Sequence, residues 1–156
     1  VTGKSWLELV VKIGDMCTNL SAQNANGGIE LVVHADKHVT GYNNEASKFL
    51  KEYNCFGDIR DITDVYDEAN GRYLELDALH CKDVGEYNQV STDTPIKSLV
   101  FVMVCAANVL DIPSYNQLLL NILQKGRIAD VHVLLAVMTC ASKVPASIST
   151  AFVRYA

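Results

Sequence analysis

The chain has 156 residues, 49% of them hydrophobic and 20% charged, and a formal net charge of −5. That balance suits one self-sufficient core, able to bury roughly 70% of the surface an unfolded chain exposes, and it excludes an intrinsically disordered chain. Nucleic acid is disfavoured as a partner, because Lys and Arg are scattered singly and binding to a phosphate backbone needs concentrated positive charge.

Five cysteines (Cys17, Cys55, Cys81, Cys105 and Cys140) are odd in number, widely spaced and free of any C-x-x-C pair. This argues against a zinc ribbon and a disulfide framework, and it fits a reducing, cytoplasmic or otherwise intracellular setting. The longest apolar stretch, 99–107, reaches Leu110 only through Asn108. That falls short of the roughly 18–20 residues a membrane span needs, so no membrane insertion is expected. The chain opens on Val1 and shows no targeting segment, which points to a single domain excised from a longer protein or polyprotein.

Ser5 and Glu8 form a capping box, and Trp6, Val10, Ile13, Cys17 and Leu20 recur at helical steps, predicting an amphipathic helix that ends in the Asn- and Gly-rich stretch 21–28. A strand is predicted over 29–36, where Ile29, Leu31, Val33 and Ala35 alternate with Glu30, Val32, His34 and Asp36. A second helix, capped at Thr40 or Asn43, carries Ala46, Phe49, Leu50 and Tyr53 on its apolar stripe. Two strand-like runs, 58–66 and 72–80, then flank Asn70-Gly71, the favoured pair of a two-residue hairpin turn. In that register Asp64 faces Asp77 and Tyr66 faces Glu75. Residues 82–91 read as a loop, and Pro95 opens an almost wholly apolar helix over 96–110. A further helix opens at Pro113 and closes at Gly126, forming an antiparallel pair with the one before it. Residues 131–137 suit a buried strand or the middle of a helix, and strand is the reading adopted. Pro145 starts a short terminal helix that ends near Arg154. The sum is an α/β domain, with α+β as the alternative: a mixed central sheet containing a β-hairpin, packed by about five helices.

Two clusters have residue types that carry chemistry. His34 and Asp36, in His34-Ala35-Asp36-Lys37-His38, are candidate metal ligands, since alternate strand residues share a face and strand ends are where α/β sheets hold ligands. A straight strand sets His34 and His38 roughly 13 Å apart, so only a turn at Lys37 lets both reach one ion. On the predicted hairpin, Asp64, Glu75 and Asp77 form an acidic face whose like-charge pairing a divalent cation, water or Arg60 would offset. Such carboxylates on adjacent strands are how metal-dependent nucleases hold Mg²⁺ and activate water, but the accompanying lysine is missing, because Asp77 occupies its place.

Gly3-Lys4-Ser5 matches the tail of a phosphate-binding loop, although the glycine and strand that precede such a tail are not in this chain. Gly27-Gly28 precedes a strand, the wrong order for a dinucleotide fingerprint, and no nucleophile elbow occurs. With no complete catalytic set, the first functional reading is a non-catalytic interaction or scaffolding module without a cofactor, binding a protein partner or itself. The second is a divalent-metal-dependent, nuclease-like hydrolase using Asp64, Glu75 and Asp77, with His34 or His80 as an auxiliary base. A third is nucleotide or small-ligand binding at a strand end, which the fold class permits.

Overall fold

The computed structural model describes residues 1–3, 6–23, 28–35, 58–91, 93–138 and 144–154. Its strands are β1 (Thr2–Gly3), β2 (Ile29–Ala35), β3 (Asp58–Ile59), β4 (Ser98–Ala106) and β5 (Val131–Met138). Its helices are α1 (Trp6–Gln23), α2 (Ile62–Ala78), α3 (Val84–Val90), α4 (Pro113–Ala129) and α5 (Ala146–Arg154), and a 3₁₀ turn spans Ala107–Asp111. The α/β class is as expected. The sheet, however, is parallel in every described pairing, in the order β1-β5-β4-β2-β3, and is neither mixed nor built on a hairpin.

Parallel strands are covered on both faces, and the sequence of β4 shows why. Leu99, Phe101, Met103 and Cys105 join one core cluster with Val32 of β2 and Val131, Leu135 and Val137 of β5, under Leu119 and Ile122 of α4 and Ile148 of α5. Residues of the other parity, Val102 and Val104, are equally buried, as are Leu31, Val33 and Ala136 in register with that face. The continuous apolar run expected to be a helix over 96–110 is therefore the central strand, and its antiparallel pairing with the next helix does not exist. Pro95 lies outside any helix or strand, and Ile96 is held by both ends of the Asn88 side-chain amide, its N–H donating to Oδ1 at 2.8 Å and its carbonyl accepting from Nδ2 at 3.0 Å.

Helix α1 is present as predicted and buries Ile13 and Cys17 of the predicted stripe, together with Leu9, which that stripe left out, while Leu20 is only half-buried and Val11 and Met16 are exposed. It contacts β1 and β5. The β1-to-β2 crossover runs across the sheet in the opposite sense to the β4-to-β5 crossover, so right-handed connections place α1 and α4 on opposite faces.

The predicted hairpin of 58–80 is mostly α2. Ile62, Val65, Ala69, Arg72 and Leu76 are its buried residues, spaced by alternating steps of three and four, and Asp61 caps it by accepting from the Ile62 N–H at 3.0 Å. Asn70-Gly71 lies inside this helix. The expected loop of 82–91 contains α3, capped by Asp83, whose carboxylate accepts from the Glu86 N–H at 2.8 Å. Val84 and Tyr87 of α3 form a small cluster with Leu76. Helix α4 begins at Pro113 as expected but runs past Gly126 to Ala129, ending at Asp130 in the left-handed conformation. The predicted strand at 131–137 and the terminal helix after Pro145 are both present. The predicted helix over 43–53 lies outside the described residues. Among the described residues, no helix is long and apolar enough to cross a membrane.

Candidate functional site

The carboxyl ends of parallel strands face one edge of the sheet, and ligands settle there where neighbouring strands send their next helices to opposite faces. One such reversal falls between β1 and β5, because β1 leads into α1 on one face and β5 leads into α5, which joins α4 on the other; the crossovers from β2 to β3 and from β4 to β5 also run in opposite senses, which sets a second between β2 and β4. At this edge Gly3 pairs with Met138, which in turn is level with Ala106 of β4.

Strand β1 is short, but it is anchored from two directions. The Val137 N–H donates to the Val1 carbonyl at 2.9 Å, and Lys12 Nζ of α1 donates to the Thr2 carbonyl at 2.6 Å while pairing with Glu8 Oε1 at 3.1 Å. The order is therefore strand, Gly3, a two-residue connection, then an 18-residue helix beginning at Trp6. The connecting residues, Lys4 and Ser5, lie outside the described residues. Gly3 itself ends β1, so the chain has the strand-to-helix step of a phosphate loop but not the glycine and four residues that separate strand from Gly-Lys-Ser in the full motif.

The other candidates do not converge. Asp64 lies in the first turn of α2, and Glu75 and Asp77 near its last turn, all exposed. Eleven residues of helix set Asp64 and Glu75 about 16 Å apart along the axis, so the like-charge pairing that motivated a metal between them does not form. Arg60, expected to offset that acidic face, instead pairs with Glu30 of β2. His80 follows α2 with φ 55° and is exposed. His34 sits near the carboxyl end of β2, in register with Met103, and Asp36 lies outside the described residues. Among the described residues, no three of His, Cys, Asp or Glu come together to hold a metal ion.

A polar junction that sequence reasoning missed lies at the opposite, amino end of the strands. Asp130 accepts from Ser98 Oγ at the start of β4 and, through Oδ1, from His132 Nε2 of β5 at 2.7 Å. Its carbonyl accepts from the Leu99 N–H at 2.9 Å and from Arg72 Nη1 at 3.3 Å. The only advance signal was a lone Asp between a helix and a strand. The hydrogen bond from His132 holds the Asp130 carboxyl below its usual value of 3.8, with burial opposing and Ser98 assisting. The same bond raises His132 above its usual 6.5 against the opposing effect of its burial.

A raised histidine stabilises the fold fully below 6.5, and that contribution is lost as pH rises through the folded-state value; the depressed Asp130 contributes above 3.8 and loses its share as pH falls. The pair is half-exposed, so less than about 1 kcal/mol is expected from it. Stability of the native protein relative to His132→Gln should therefore decline between pH 6 and 8, which paired chemical denaturation series measure. A difference flat across that range would show that the pair is not coupled to folding.

No protein-family model matches the sequence, and no curated protein matches it. Solved structures do match in fold. The cytoplasmic domain of the Thermomonospora curvata type VII secretion ATPase EccC superposes with a TM-score of 0.72 at 14% identity, covering 96% of this chain and 19% of that one. EssC (ATPases 2 and 3) from Geobacillus thermodenitrificans gives 0.66 at 10% identity, covering 96% and 29%. The monomer form of the pCW3 conjugation coupling protein TcpA, solved with ATPγS, gives 0.62 at 16% identity, covering 96% and 45%. At these identities the likeness is one of fold. The chain spans less than half the length of each of these chains.

Proposed function

We propose that the chain is a nucleotide-binding module of a larger protein, holding a nucleotide phosphate at the junction of β1 and α1 and acting by contact with a protein partner or a second copy. The observation that carries this reading is the placement of Gly3 at the end of β1, beside the β1/β5 reversal and two residues before an 18-residue helix. Lys4 supplies a cation for the phosphate, Ser5 a hydroxyl, and the start of α1 a partial positive charge and free N–H groups. The likeness to domains of ATPases, one solved with ATPγS, supports the reading, as does their greater length.

The contact role is the earlier interaction-module reading, kept because the carboxylates of the alternative hydrolase are dispersed along α2. The experiment is equilibrium binding of fluorescent ATPγS to the native protein and to Lys4→Ala. Removing the one side-chain cation of the motif is expected to weaken binding by tenfold or more, since hydrogen bonds to charged groups contribute about 1.5–3 kcal/mol. Equal affinities for the two proteins would count against a phosphate at this junction.

A further inference from the structure

We infer that the outward face of α2 is a docking surface for a protein partner, and that the segment it takes is a basic amphipathic helix. The inference rests on the contact role proposed above, to which it gives a surface and a partner chemistry, and it stands apart from the β1–α1 junction. Helix α2 buries one face, from Ile62 to Leu76, in its packing against α4 and the core. The opposite face follows the same alternation of three and four residues through Asp64, Asp67, Gly71, Leu74 and Ala78, all of them exposed.

Within the chain this face works against its own helix. Asp64 stands three residues from Asp67 and four from Glu68, and like charges at those spacings weaken a helix. Glu75 and Asp77 fall in the last turn, which holds no basic residue, where the helix end already carries partial negative charge. Gly71 interrupts the middle of the helix with nothing within 4 Å of a built Cβ, and Leu74 is 57% exposed. Local rules broken together on one face, with no compensating contact among the described residues, mark a surface shaped by something outside the chain.

Charge identifies the partner. Helix α2 carries five carboxylates, and its one cation, Arg72, is buried on the core side in hydrogen bonds to Glu68 and the end of α4. Lys125 of α4 reaches one flank, where its Nζ donates to Asn70 Oδ1 at 2.8 Å and lies over the rings of Tyr66 and Tyr73. On the other flank Lys97 stands across a groove from Glu68 and Glu75. A second copy would set carboxylates against carboxylates, and nucleic acid or an anionic membrane would be repelled in the same way. A helix with Lys and Arg on its flanks meets the acids, its apolar stripe meets Leu74 and Ala78, and glycine at 71 lets its backbone come close.

The test titrates the native chain with a fluorescent peptide of Leu, Lys and Arg, patterned as an amphipathic helix as long as α2, and with a scrambled peptide of the same composition. Amide chemical shifts map the contact. The expected result is binding at least tenfold tighter than that of the scrambled peptide, shifts centred on residues 64–78, and a tenfold or greater loss in Gly71→Gln. Glutamine is the better helix former, so that loss would not come from unfolding. Asp15→Asn, which removes an exposed carboxylate of α1, should change the affinity less than twofold. Equal affinity for the two peptides, shifts centred elsewhere, or undiminished binding by Gly71→Gln would overturn the inference, as would self-association of the native chain that Gly71→Gln abolishes. ATPγS binding in the same samples separates the readings: its absence counts against the nucleotide site alone, and failure of the peptide against this surface alone.

Discussion

Gly126→Ala is expected to destabilise the protein by about 2 kcal/mol, although alanine is the better helix former by about 1 kcal/mol. Gly126 is buried in α4, and a Cβ built on it would clash with the Val131 carbonyl oxygen. That oxygen belongs to the first residue of β5, a strand held between β1 and β4, so the neighbour is main chain and has little freedom to yield. The close approach lets α4 fold back directly onto β5 through Asp130 alone. Gly71 supplies the control, because it also lies inside a helix, is exposed, and has nothing within 4 Å of its built Cβ. Gly71→Ala should stabilise by up to about 1 kcal/mol. Opposite signs for one chemical change would establish that contact with β5, rather than helix propensity, fixes the residue at 126. Two stabilising results in chemical denaturation would contradict the packing described for α4 and β5.

Arg72→Met should cost about 2–3 kcal/mol and lower Tm by roughly 6–10 °C. Arg72 is 6% exposed, the one buried charged residue among those described. From α2 its Nη1 donates to the Ala129 carbonyl at 3.0 Å and to that of Asp130 at 3.3 Å, while Nε donates to Glu68 Oε1 at 3.0 Å. It therefore caps the end of α4, where carbonyls lack helical partners and the helix carries partial negative charge. Methionine keeps much of the apolar volume and removes the donors, leaving the Ala129 carbonyl without its charged partner. Glu68 is 44% exposed, so Glu68→Gln should cost only a few tenths of a kcal/mol. Equal losses from Arg72→Met and Glu68→Gln would place the energy in the ion pair instead of the cap.

What the sequence disclosed and what it hid divide along local and non-local lines. The stripe of α1, Pro113 at the start of α4 and Pro145 before α5 are local signals, and each marks its element. Residues 58–80 misled because Asn70-Gly71 is a strong hairpin pair, whereas the steps of three and four from Ile62 to Leu76 were the controlling pattern. Gly71 is tolerated because the packing of α2 along α4 outweighs its propensity cost. Residues 98–106 misled for a different reason: a strand covered on both faces loses its alternation, and periodicity alone cannot separate it from a buried helix. The hairpin carboxylates depended on that strand reading and dispersed with it.

Gly3-Lys4-Ser5 was visible from the outset as three residues. Its weight comes from β1 lying beside β5, where Gly3 meets Met138, a pairing across 135 positions of sequence that no local pattern reports. The Asp130 junction was hidden for the same reason, since Ser98, Arg72 and His132 converge on it from three different elements.

The central claim is that a nucleotide phosphate rests where β1 gives way to α1, and hydrogen exchange with and without saturating ATPγS tests it most directly. Protection is expected over residues 1–9 and at the end of β5, with α2 and its carboxylates unaffected. Unchanged exchange at the β1–α1 junction, or protection centred on α2, would contradict it.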